Sequence, residues 1–145
     1  FPSMTVEENL QMGGFIRKDD ISKTIEEVYE LFPVLYEKRK QLADQLSGGQ
    51  RQQVAFGRAM MTKPSVMLLD EPTAGVSPIV MDEIFSNILD VKNAGMAVLM
   101  VEQNAQQALT IADKGFVLVS GRNEHTGTGK DLINDPEVRK KFLGG

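Results

Sequence analysis

The first 45 residues carry apolar side chains at helical spacing. Thr5 and Glu8 have the spacing of a capping box, and the pair Gly13–Gly14 ends the first predicted helix. A second helix is predicted from Asp20 and is stopped by Pro33. Its apolar positions are Ile21, Ile25, Val28, Leu31 and Phe32. This part of the chain is therefore predicted to be a small all-helical subdomain.

The pattern changes after that point. Ser47 is predicted to cap a helix that runs to about Met61. Apolar runs predict three strands, at 66–69, 97–101 and 116–120, and the first two are expected to be buried on both faces. Helices are predicted at 78–93 and 104–112, with a short strand near 123–126 and two short C-terminal helices. Alternating strands and helices favour an α/β fold with a parallel sheet. The predicted domains are residues 1–45, the helical subdomain, and 46–145, the α/β part.

Composition narrows the class of protein. With 41% apolar and 25% charged residues, the 145-residue chain has the make-up of a globular domain. The net charge of −4 does not favour a nucleic-acid partner, so none is expected. The chain contains no cysteine, which excludes disulfides and cysteine–zinc sites.

One short stretch, Ser47-Gly48-Gly49-Gln50, lies at the start of a predicted helix. A helix N-terminus presents free N–H groups and the positive end of the helix dipole, and glycines allow an anion to approach them. A phosphate site is one interpretation of this stretch. A glycine-rich turn capped by serine is the other, and the four residues alone do not separate the two.

Two carboxylates, Asp70 and Glu71, follow the first apolar strand directly. In α/β sheets, ligands bind at the carboxyl ends of parallel strands. Successive strand residues point to opposite sides, so one carboxylate can hold Mg²⁺ while the other faces a reacting water as general base.

These stretches together resemble the ABC (ATP-binding cassette) ATPase family. LSGGQ, residues 46–50, looks like the family's signature motif. VMLLDE, residues 66–71, looks like its Walker B strand, and TAGVS, residues 73–77, occupies the place of its D-loop. Within the family, FPSMTVEENLQMG, MVEQNAQQAL and DPEVRKKFLGG are most similar to an ATPase type of branched-chain amino-acid importers.

The resemblance implies a role for each matching residue. Glu71 would be the catalytic base, Gln103 would contact the γ-phosphate, and Asp70 would hold Mg²⁺ through water. The signature residues Ser47, Gly48, Gly49 and Gln50 would bind ATP held by a second subunit. The D-loop residues would be Gly75, Val76 and Ser77.

Three features differ from the family pattern. The chain contains no GxxxxGK[ST] phosphate loop, so it is expected to be the C-terminal part of such a subunit, an incomplete P-loop NTPase. Gln103 stands where the family commonly has histidine; its amide can donate a hydrogen bond but cannot carry a proton. Ser77 stands where many members have aspartate, which predicts altered communication across the dimer.

The function expected from the resemblance is that of a nucleotide-binding subunit of a branched-chain amino-acid importer. Its cofactors would be ATP and Mg²⁺. Its partners would be a second ATPase subunit, in a head-to-tail dimer, and membrane permease subunits at the cytoplasmic face of the membrane. The chain alone is expected to be inactive and to self-associate. The alternative is a non-catalytic module that binds the transporter or an intact ATPase subunit.

Overall fold

The computed structural model describes residues 1–143, and Gly144 and Gly145 of the predicted C-terminal segment lie outside the described residues. The α-helices are α1 Val6–Gly13, α2 Ser22–Leu31, α3 Pro33–Glu37, α4 Gly48–Met60, α5 Pro78–Asn93, α6 Ala105–Ile111, α7 Gly129–Asn134 and α8 Pro136–Phe142. The strands are β1 Val66–Asp70, β2 Ala97–Val101, β3 Gly115–Val119 and β4 Arg122–Gly127, and a 3₁₀ turn spans Ala43–Gln45.

The chain divides into two compact units. The first contains Phe1–Leu69 and Val76–Leu99, and the second contains Asp70–Gly75 and the chain from Met100 onwards. The predicted boundary near residue 45 stays a prediction.

The capping box predicted for α1 is present. The Glu8 N–H donates to Thr5 Oγ1 at 3.2 Å, and the Thr5 N–H donates to Glu8 Oε2 at 2.7 Å. Helix α1 packs on α4, and both Val6 and Leu10 are fully buried. The two helices cross closely at Gly13, where an added Cβ would lie 2.5 Å from the carbonyl oxygen of Arg58. Only glycine allows this approach of one backbone to another.

Helix α2 begins two residues later than predicted. Asp20 precedes the helix, and its Oδ1 accepts a hydrogen bond from the Ser22 N–H at 2.9 Å. Pro33 ends α2, as predicted, and also occupies the first position of α3, where its missing N–H costs nothing. The two aromatic rings Phe32 and Phe56 stack with centroids 6.4 Å apart in the core of this unit.

Arg17 connects the loop after α1 to the end of α4. Its Nη1 donates to the Met61 carbonyl oxygen and to Thr24 Oγ1, both at 2.9 Å. The same guanidinium donates to both carboxylate oxygens of Asp19. These hydrogen bonds lower the pKa of Asp19 from 3.8 to about 2.

Strands β1 and β2 form a two-stranded parallel sheet, connected through α5. The prediction that both strands are buried on both faces is wrong for the residues described. Met67 is buried, but Leu68 is 72% exposed and Leu99 is 58% exposed. Exposure alternates along both strands, and the side chains of Val66, Leu68, Leu99 and Val101 are exposed. Within residues 1–143 one face of the sheet is therefore uncovered.

Strand β3 pairs with β4 as an antiparallel hairpin. Its two-residue turn, Ser120–Gly121, has positive φ at both positions (48° and 78°), as a type I′ turn requires. Among the described residues β3 is not hydrogen-bonded to the β1–β2 sheet. Beside the hairpin, Leu109, Leu132 and Val138 form the buried cluster of the second unit.

None of the helices in residues 1–143 has both the length and the apolar composition needed to cross a bilayer.

Candidate nucleotide-binding site

Ser47 caps helix α4, as predicted, and forms a complete capping box with Gln50. The Gln50 N–H donates to Ser47 Oγ at 3.2 Å, and the Gln50 side-chain oxygen accepts from the Ser47 N–H at 3.1 Å. The first two helical residues, Gly48 and Gly49, have no hydrogen-bond partner for their N–H groups in the part of the chain that is described. A 13-residue helix therefore presents two unpaired amides and a positive dipole end at this point.

The two glycines have different surroundings. Gly48 is exposed, and an added Cβ would meet only Val80 at 3.8 Å, which is ordinary contact. Gly49 is buried, and an added Cβ would collide with the carboxylate of Glu83 on α5. Neither glycine has a positive φ. Bare backbone at Gly48 thus leaves the amides open to a ligand, whereas at Gly49 it makes room for α5.

The predicted acidic pair lies at the carboxyl end of β1. Asp70 is the last residue of the strand and is exposed. The Glu71 N–H donates to the Val101 carbonyl oxygen at 2.8 Å, which fixes this corner to the end of β2. The structure brings Glu71 and Gln103 together, because Gln103 Nε2 donates to Glu71 Oε1 at 2.8 Å.

Glu71 adopts a strained backbone conformation, with φ of 44°. A non-glycine residue in the left-handed region costs about 1–3 kcal/mol, and such residues cluster at functional sites. The strain is held in place by the hydrogen bond to β2 and by the Ala74 N–H, which donates to the Glu71 carbonyl oxygen at 3.0 Å.

The predicted D-loop residues connect this corner to α5. Gly75 has φ of 71°, a conformation that glycine adopts at little cost. Ser77 is the N-cap of α5 but makes no side-chain capping bond, and Pro78 occupies the first helical turn. The signature residues and Ser77 lie in the first compact unit, whereas Asp70, Glu71, Gly75 and Gln103 lie in the second.

Sequence reasoning missed Glu102. Its carboxylate accepts hydrogen bonds from the backbone N–H groups of Thr73 (3.3 Å), Gln103 (3.0 Å) and Asn104 (3.2 Å). The available signal was its place directly after an apolar strand, the same place that Glu71 has after β1. Both acidic residues therefore belong to the same edge of the sheet.

The carboxylates at this edge of the sheet fit a Mg²⁺ ion that is also bound by phosphate oxygens and water. Within residues 1–143, no three His, Asp or Glu side chains come close enough together to hold a metal ion by themselves. Mg²⁺ is usually bound by one or two carboxylates together with phosphate oxygens and water. An exposed carboxylate such as that of Asp70 suits this mode of binding, and the described part of the chain offers no all-protein cage.

Comparison with known proteins gives a consistent picture. A family model described as "ABC transporter" matches residues 1–74. The high-affinity branched-chain amino acid transport ATP-binding protein BraG of Pseudomonas aeruginosa is 48% identical and is matched over 100% of this chain and 63% of its own length. The probable branched-chain amino acid transport ATP-binding protein LivF of Archaeoglobus fulgidus is 38% identical over 99% of this chain and 62% of its own length.

Solved structures are similar as well. The ADP conformation of MJ1267, an ATP-binding cassette of an ABC transporter, superposes with a TM-score of 0.81 at 29% identity. The match covers 99% of this chain and 64% of that one. The fold is thus that of a partial ATP-binding cassette, as the sequence predicts. The chain spans slightly less than two thirds of the length of these relatives.

Proposed function

Because this chain belongs to the ABC transporter family, we propose that it is part of a nucleotide-binding subunit that couples ATP hydrolysis to import. The observation that carries the proposal is the hydrogen bond between Gln103 and Glu71 at the end of β1, beside the exposed Asp70. Branched-chain amino acids are the proposed solute, supported by the 48% identity to BraG.

The proposed chemistry is mostly positioning and charge stabilisation. Glu71 orients and deprotonates the attacking water, since its carboxylate can accept the proton. Gln103 keeps that carboxylate in place through its amide and donates its second N–H towards the γ-phosphate. Asp70 is the residue that would hold Mg²⁺, which neutralises phosphate charge when it is bound.

The second half of the proposed site comes from a neighbouring subunit. The free amides of Gly48 and Gly49, with the hydroxyl proton of Ser47, are suited to the terminal phosphate of ATP held by that neighbour. Gln50 contributes by fixing the cap, because its side chain is bonded to the Ser47 backbone. Val76 and Ser77, with Gly75, form the segment through which the two subunits of the dimer would communicate.

A membrane permease is the other proposed partner, at the cytoplasmic face. Phe15 and Ile16 are 77% and 78% exposed, whereas Phe32 is 1% exposed. Adjacent exposed apolar side chains on a helical subdomain are suited to a protein partner.

Steady-state Mg-ATP hydrolysis by the complete subunit tests the proposal. We expect Glu71→Gln to lower kcat by about 100-fold or more, since general-base catalysis contributes on the order of 10²–10⁴. The matched control is Glu124→Gln, an exposed carboxylate 3.9 Å from Lys141, which should leave kcat unchanged. The 145-residue chain alone should show no turnover. Equal rates for the Glu71→Gln subunit and the unmodified one would refute the assignment.

A pull-down separates this proposal from the alternative of a non-catalytic binding module. If the chain contributes the second half of an ATP site, its capture by an intact ATPase subunit should increase when Mg-ATP is added. Capture of the transporter that is independent of nucleotide would favour the binding module.

A further inference from the structure

Glu102 connects the two turns that carry the proposed reactive side chains. Its Oε2 accepts from the Thr73 N–H in the turn after β1, and its Oε1 accepts from the Gln103 and Asn104 N–H groups in the turn after β2. Thr73 is 4% exposed, so its N–H has little access to water. One carboxylate thus satisfies three backbone donors on two separate segments.

The same two turns are also joined by the side chains of Glu71 and Gln103. The Glu71 N–H bonds to the Val101 carbonyl oxygen, and in a parallel ladder this places Glu71 opposite Glu102. The carboxylate of Glu102 therefore lies beside the Glu71–Gln103 pair. It holds the backbone of Gln103 and the backbone two residues after Glu71.

We propose that Glu102 is a positioning residue that fixes the distance between the Glu71 carboxylate and the Gln103 amide. The inference rests on the proposed function only where it concerns catalysis. A carboxylate suits the position because both of its oxygens are acceptors. An amide has one acceptor oxygen and an NH₂ group, so Glu102→Gln turns a donor towards a backbone N–H on one of the two turns.

The first test needs no nucleotide and uses the chain itself. Amide hydrogen exchange and the side-chain NH₂ resonance of Gln103 are measured by NMR in the wild type, Glu102→Gln and the control Glu124→Gln. We expect exchange at Thr73 and Gln103 to rise by about tenfold or more as the local structure opens, and the Gln103 NH₂ resonance to shift. Unchanged exchange and an unchanged resonance would overturn the inference, whether or not the subunit is an ATPase.

The second test separates positioning from general stability. In the complete subunit, Glu102→Gln should lower kcat by about 10- to 100-fold with KM for ATP unchanged, because misplacing a reactive group by about 1 Å can cost 10²-fold. The double variant Glu102→Gln with Gln103→Ala should lose little more kcat than the more damaging of the two single variants, since both residues act through Glu71. Additive losses, or a change in KM alone, would contradict the role.

A conservative variant covers the case in which Glu102→Gln does not fold. Glu102→Asp keeps a carboxylate near the Gln103 N–H but is shorter by one methylene, so it loses the bond to Thr73. Exchange should therefore rise at Thr73 and stay near wild type at Gln103. Exchange that rises equally at both positions would show that Glu102 only stabilises the region as a whole.

Discussion

Gly57 lies in α4 where two fully buried side chains pack against it, and we expect its replacement by alanine to destabilise the fold. A Cβ at this position would lie 2.7 Å from Leu10 Cδ2 and 2.8 Å from Val28 Cγ1. Both neighbours are fully buried, on α1 and α2 respectively, and have no solvent-facing side to which they can move. The two helices must therefore shift away from α4 for the methyl group to fit.

Two opposing effects set the size of the change. Alanine gains up to about 1 kcal/mol over glycine in a helix interior. Adding a methyl group to a well-packed core costs about 1–3 kcal/mol. Contacts of 2.7–2.8 Å to two fully buried side chains place this site in the upper part of that range. The expected net destabilisation is roughly 1–2 kcal/mol, which lowers Tm by about 2–8 °C for a domain of this size.

Thermal and urea unfolding followed by circular dichroism measure the effect. Gly48→Ala is the matched control, a glycine-to-alanine change in the same helix with nothing nearer than 3.8 Å to its Cβ, and it should change stability by less than about 0.5 kcal/mol. Val28→Ala should relieve the crowding, so the double variant should lose less than the sum of the single changes. A Gly57→Ala chain as stable as the wild type would refute the packing argument.

Three further outcomes are expected. The Arg17 guanidinium lowers the pKa of Asp19 to about 2. The stabilisation from this pair is therefore complete above the ordinary pKa of 3.8 and is lost as the pH falls through about 2. Asp19→Asn should differ from wild type in free energy of unfolding at pH 6 and converge with it near pH 2. Leu68→Thr with Leu99→Thr should weaken self-association of the chain by at least about tenfold in light scattering, since burying each leucine contributes about 1.5–3 kcal/mol. Phe15→Ser with Ile16→Ser should abolish co-purification with the permease while ATP hydrolysis by the isolated subunit is kept.

Ile79 provides a control for both surface variants, because it is 74% exposed and lies at the start of α5, outside the sheet and the first helices. Ile79→Ser should affect neither self-association nor permease binding. If Ile79→Ser weakens self-association and permease binding as strongly as the designed variants, neither surface is a specific interface. For Asp19, a wild-type stability that changes by the same amount as that of Asp19→Asn between pH 6 and 2 would contradict the lowered pKa.

Local signals in the sequence were sufficient to predict most of the helices and strands. The caps at Thr5 and Ser47 were predicted correctly, because a capping box is formed by residues three positions apart and depends little on the rest of the fold. The exposure of Leu68 was not predicted, because an apolar run shows which residues prefer burial but not whether a neighbouring element covers them.

The candidate site shows the same limit. Asp70 and Glu71 follow an apolar strand, and this place identified them. The contact between Glu71 and Gln103 joins residues 32 positions apart, so it depends on the pairing of β1 with β2. Glu102 also directly follows an apolar strand, but that place in the sequence does not show which groups its carboxylate binds. Its three backbone bonds are visible only once the two turns are side by side.

The two glycines at the start of α4 are adjacent in sequence, but they constrain the protein in different ways. An alanine at Gly49 forces the Glu83 carboxylate to move, and Glu83 is exposed and flexible enough to turn towards solvent. That change would alter both the packing of α5 and the charge beside the free amides, so its effect on ATP binding could not be assigned to either cause. An alanine at Gly48 displaces nothing and adds a methyl group to the residue that carries the first of the two free amides. Loss of ATP-dependent dimer formation in Gly48→Ala, with stability unchanged, therefore tests the phosphate site separately from the fold.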